Sequence, residues 1–82
     1  MYREDYNNML RVVRNGIIIN RFSPKLYFQK GYALYKLAKT NEAIESIRYS
    51  VDLNPNDAYV NNYLGLLYLY KENYKLAELY SI

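Results

Sequence analysis

Residues 24–57 read PKLYFQKGYALYKLAKTNEAIESIRYSVDLNPND, and this stretch decides the fold. Tyr27, Gly31, Leu34, Tyr35 and Ala38 recur at the three- and four-residue spacing that places side chains on one face of an α-helix. Ala43, Ile44, Ile47 and Val51 do the same in the second half. Lys39-Thr40-Asn41 separates the two runs as a turn, with Thr40 or Asn41 capping the second helix. Pro55 stands just past Leu53, where proline cannot continue a helix. The stretch therefore predicts two antiparallel helices. Gly31 and Ala43 are small residues on the facing sides, so the backbones are expected to cross closely.

Upstream, Tyr6, Met9, Leu10, Val13, Gly16 and Ile17 mark one helical stripe over residues 4–20. Ile17-Ile18-Ile19 alone would suit a strand, but the flanking helical period outweighs it. Shifted by 34 residues, this segment falls on the second helix of the central pair: Asn7 meets Asn41, Arg14 meets Arg48, Asn20 meets Asn54, and Val13 meets Ile47. Ser23-Pro24 then opens the next helix, with serine as cap and proline at its first position. Downstream, Asn56 or Asp57 caps a helix over 58–71. Glu72-Asn73 is read as a turn, and Tyr74 begins a short last helix. Five helices are expected, at 4–20, 24–38, 42–53, 58–71 and 74–82.

The pattern of the central stretch resembles the tetratricopeptide repeat, a helix–turn–helix unit of about 34 residues with an aromatic, Leu-Gly, Tyr, Ala, Phe and Pro at set places. Tyr27, Gly31, Ala43 and Pro55 match it, while Leu34 and Ile47 replace the tyrosine and phenylalanine. Lys30 stands in place of the leucine, and Ala38 in place of the turn glycine. The next copy carries Leu64, Gly65, Tyr68 and Ala77, with Asn61 where the opening aromatic belongs. Gly65 lies 34 residues after Gly31, and Ala77 lies 34 after Ala43. The resemblance implies one all-α domain over 1–82, stacked as a short right-handed solenoid. Residues 4–23 would be the second helix of a partial repeat, 24–57 a complete repeat, and 58–82 a shortened one.

Composition narrows the chemistry. The 82 residues include no histidine and no cysteine. The commonest general base and the strongest nucleophile are thus missing, as are disulfides and thiolate metal sites. Ser23, Ser46, Ser50 and Ser81 have no histidine to activate them, and Glu42 and Glu45 read as a solvated helix face. Gly16, Gly31 and Gly65 are too widely spaced for a phosphate loop. The expectation is a protein that is not an enzyme and takes no cofactor and no metal. The first residues, MYREDYNN, lack the apolar core of a signal peptide, and no apolar run approaches the ~18 residues of a membrane span. An intracellular, cytoplasmic location is expected. Residues 1–30 carry six basic and two acidic side chains, a balance of +4; the remainder carries five and six, a balance of −1. A solvated face is the ordinary reading, and a basic patch for an acidic partner is the sharper one.

Surface remains. The resemblance implies that the first helix of each pair lines a concave side. Lys25, Phe28, Tyr32 and Lys36 on one such helix, and Tyr59, Asn62, Leu66 and Tyr70 on the next, are turned away from the expected core. They form the candidate groove for a peptide, a helix or a neighbouring subunit. Members of the family that hold chaperone C-termini use lysine and asparagine where Phe28 and Tyr32 stand, so a carboxylate clamp is not expected. The leading function is a scaffold or adaptor that binds protein. RNA binding through the N-terminal arginines and the twelve tyrosines is the alternative. Self-association is also expected, because the end helices leave apolar residues such as Val12, Ile18, Leu66 and Leu69 without cover.

Overall fold

A computed structural model describes residues 5–80, with side chains through Glu72. Ser81 and the side chain of Ala77 lie outside the described residues, as do residue 4 of the first expected helix and residues 81–82 of the last. Among those residues there are four helices and no strand: α1 (Tyr6–Ile19), α2 (Pro24–Lys36), α3 (Thr40–Leu53) and α4 (Ala58–Tyr80). Each packs mainly on its neighbour in sequence, and α2 against α3 is the most extensive pairing. The molecule measures 46 × 36 × 21 Å.

The 34-residue period is written into the helix ends. α1 and α3 have the same length, and their bounds differ by 34 at both ends. Asn20 closes α1 by donating its N–H to the Gly16 carbonyl; Asn54 closes α3 on Ser50 with nearly the same dihedrals. Ser23 Oγ accepts from the Leu26 N–H at the start of α2, and Asp57 Oδ1 accepts from Val60 N–H at the start of α4. Each cap satisfies a backbone donor that the first helical turn leaves free. The arrangement is an all-helical, repeat-like fold.

Leu10, Ala33, Leu34, Ala43, Ile44, Ile47, Val60 and Leu67 make one core running through all four helices. Gly31 lies where α2 and α3 cross. A Cβ placed there would stand 2.8 Å from Ile47 Cδ1 and 3.0 Å from the Ala43 carbonyl oxygen. Ser50, fully buried, donates its hydroxyl to the Pro24 carbonyl at 2.7 Å and ties the two helices at their other end.

Two expectations are corrected. The cap expected from Thr40 or Asn41 is absent: Thr40 is already helical, and the cap residue is Lys39, which makes no side-chain bond. The second correction concerns the count of five helices. The turn expected at Glu72-Asn73 is helix, and α4 runs through it. The comparable place after α2 breaks because Ala38 takes the left-handed conformation, with φ 65°. Its N–H donates to Tyr35 and that of Lys39 to Leu34, the double bond of a Schellman ending. Thirty-four residues later stands Glu72, a straight-chain helix former, and no glycine or proline follows it. Asn73 alone costs well under ~1 kcal/mol in a helix.

Candidate functional site

The sequence places Lys25, Phe28, Gln29, Tyr32 and Lys36 at i, i+3, i+4, i+7 and i+11 of α2, one narrow stripe. Tyr59, Asn62, Tyr63, Leu66 and Tyr70 hold the same places on α4. The two stripes meet through their rings. Phe28 sits edge-on to Tyr59 and Tyr63, at centroid distances of 5.7 and 5.2 Å. Tyr32 lies 6.2 Å from Tyr63 and 6.1 Å from Tyr6 of α1. Tyr35 carries the ladder onward, edge to face with Tyr63 and with Tyr70 at 5.7 Å. Such edge-to-face pairs join the positive rim of one ring to the negative face of the next.

A cation stands at each end of the α2 stripe. The Lys36 ammonium lies 5.5 Å from the Tyr32 ring centre and 5.7 Å from that of Tyr35, within cation–π range. Lys25 is eleven residues earlier, about 16 Å along the helix. With Phe28 and Tyr59 it lines a cavity of about 370 Å³, completed by Pro24, Ser50, Asn54, Asp57 and Val60. Asp57 faces this cavity, but its Oδ1 is engaged by the Tyr59 and Val60 N–H groups. Tyr63 is the centre of the ladder. Burial pushes its phenol up to about 12, with further contributions from the neighbouring Tyr32, Tyr35 and Tyr59. It is neutral across the physiological range and serves as a hydroxyl, not as an acid.

Of the eight residues expected to form the groove, Phe28, Tyr32, Lys36, Tyr59 and Tyr70 are joined through ring contacts, and Lys25 reaches them through the cavity. Asn62 and Leu66 are exposed and take no part in the ladder. The expectation that Phe28 faces away from the core is corrected: it is half-buried and packs on the core cluster. Tyr6, Tyr35 and Tyr63 were not among the eight. Tyr35 sits at the edge of α2's core face, so its helical position alone assigns it inward. Its reach to Tyr70 depends on where α4 lies. The motif residues Tyr27, Leu34, Ala43 and Ile47 are in or beside the α2–α3 contact, with Tyr27 against Tyr49 at 4.4 Å. Leu64 is half-buried against the core, whereas Gly65 and Tyr68 are exposed. Among the described residues, no helix is long and apolar enough to cross a membrane. Compared with known protein families, with curated proteins and with solved structures, the chain shows no match.

Proposed function

We propose that this chain is a protein-binding module of the tetratricopeptide-repeat type, not an enzyme, and that the ring-lined groove between α2 and α4 holds a segment of its partner. The observation that carries the reading is the aromatic ladder with Lys25 and Lys36 at its two ends. Rings offer large apolar contact at low entropic cost, the pattern of interface anchors. Lysines about 16 Å apart match carboxylates about five residues apart on an extended chain. The favoured ligand is therefore a short segment with an aliphatic or aromatic centre and acidic residues on both sides. Tyr32, Tyr35 and Tyr63, at the centre of the ladder, are half-buried with their rings turned on one another, which leaves few open faces there for bases to stack on. That favours protein over RNA.

Selection from a random peptide display library tests this. Enriched sequences should carry the acidic–apolar–acidic pattern. Tyr59→Ala and the double change Lys25→Glu, Lys36→Glu should each weaken those peptides at least about tenfold, the order of a desolvated contact or ion pair. Phe28→Ala is a poor probe because it also unpacks the core. Enrichment without the pattern, or unchanged binding after the charge reversal, overturns the reading. Binding to single-stranded RNA that falls steeply with salt would favour the alternative.

A further inference from the structure

We infer that the α1–α2 turn docks the chain on the surface of an anionic lipid membrane, with Ile18, Ile19 and Phe22 as the inserted wedge and Arg11, Arg14 and Arg21 on the headgroups. The groove residues take no part. Residues 18–22 read Ile-Ile-Asn-Arg-Phe, and all five are exposed. The three apolar side chains leave 74, 88 and 71% of their surface to solvent. Side chains this open form no groove for a partner's residue; they form a wedge, which a fluid apolar layer can receive. The 34-residue period supplies a control. The turn between α3 and α4 holds Asp52, Leu53 and Asn56 at the places of Ile18, Ile19 and Phe22. α3 packs on both α2 and α4, yet Asp52 and Asn56 are exposed and Leu53 is only partly covered. Exposure at the places of Ile18 and Phe22 therefore comes with the turn and not with a missing neighbour. The α3–α4 turn meets water with polar residues there; this one carries isoleucine and phenylalanine.

The charge that flanks the wedge has one sign. No acidic residue stands between Asp5 and Glu42. Arg11, Arg14 and Ile18 lie at i, i+3 and i+7 of α1, one exposed stripe. Arg11 donates to the neutral Asn8 side chain, so that bond does not offset its charge. Arg14 is four residues before Ile18 and Arg11 seven, about 6 and 10 Å along the helix. A headgroup layer is about 5–8 Å deep. With α1 upright and Ile18 at the acyl boundary, Arg14 stands among the phosphates and Arg11 at their outer edge. Arg21, beside Phe22 in the turn, has a long aliphatic stem that lets its guanidinium reach back to the same layer. Asp5 caps the far end of α1. The α3–α4 turn lies at the same end of the molecule as the wedge and bears Asp52 and Asp57. That acidity favours an approach led by α1, with α3 and α4 held farther out. Apolar insertion and cationic attraction are two signals, which together hold a chain on a membrane reversibly and do not span it.

The test is flotation of the full chain with lipid vesicles. Phosphatidylcholine vesicles with about one third phosphatidylserine should carry it, and pure phosphatidylcholine vesicles should bind it at least about tenfold more weakly. Raising the salt to about 0.5 M should loosen the hold of the anionic vesicles. The double change Ile18→Asp, Phe22→Asn installs the residues of the α3–α4 turn. It should reduce binding at least about tenfold. Circular dichroism and the melting midpoint should hold, because both sites are exposed. Arg14→Gln and Arg21→Gln should each cost about fivefold on anionic vesicles. The chain has no tryptophan, so Phe22→Trp supplies a single reporter. Its emission should shift to the blue with anionic vesicles and be quenched by lipids brominated in the acyl chain. No flotation with anionic vesicles, unchanged binding in the double variant, or a Phe22→Trp chain that binds without a blue shift would each overturn the inference. So would a wedge that joins two copies instead, seen as a mass in vesicle-free solution that the double variant lowers.

Discussion

Gly31 and Gly65 hold the same place in the 34-residue period, yet a methyl group added to each should have opposite effects. At Gly31 the new carbon meets Ile47, which is fully buried and has nowhere to turn, and a backbone carbonyl. Overpacking of this kind costs about 1–3 kcal/mol, more than the ~1 kcal/mol that alanine gains over glycine in a helix. At Gly65 only the gain applies. Denaturant titration in dilute solution should show Gly31→Ala less stable than the parent and Gly65→Ala more stable by up to ~1 kcal/mol. Tyr63 sets a pH dependence of its own. Its phenol is raised from 10.0 to about 12, so the folded chain holds this proton more tightly than the unfolded chain. The resulting stability is fully present below pH 10 and is lost as the pH rises through about 12. The melting midpoint should fall over that window, and Tyr63→Phe should flatten the fall. An unchanged profile in Tyr63→Phe would show that other groups govern it.

The ending of α2 and the persistence of α4 are two outcomes of one competition between helix extension and a left-handed break. Ala38 adopts the break although its side chain disfavours it by roughly 1–2 kcal/mol. Ala38→Gly should therefore raise stability by about 0.5–1 kcal/mol, the strain relieved less the entropy that glycine adds to the unfolded chain. If that substitution destabilises, the Schellman ending is wrong. In α4 the equivalent Glu72 continues the helix. Backbone carbon chemical shifts from Lys71 to Lys75 should all be helical; a left-handed signature at Glu72 or Asn73 would restore the turn that the sequence led us to expect. The starts of α2 and α4 were legible, because Ser23-Pro24 and Asp57 act through local bonds, whereas the cap expected at Thr40 or Asn41 is absent. The turn expected at Glu72-Asn73 is helix instead. Periodicity marks a face but not an end, and only Ala38 has tertiary packing on both flanks to force the chain over.

At the scale of the molecule, the sequence by itself determined the all-helical class, the 34-residue period, the core stripe of each helix and the small residue at the α2–α3 crossing. Each of these depends on contacts between near neighbours or on a pattern that recurs along one chain. The absence of histidine and cysteine likewise settled which residues could not act as catalysts. The tertiary structure alone decided three other matters. It joined the rings of α1, α2 and α4 into one ladder, which includes Tyr6 and Tyr35 from core-facing positions. It turned Phe28 from a free groove residue into a packed one. It left Gly65 facing open space while Gly31 is covered. All three depend on which helix lies beside which. That is a matter of packing between segments tens of residues apart, and an equivalent place in the 34-residue period cannot tell a covered face from an open one.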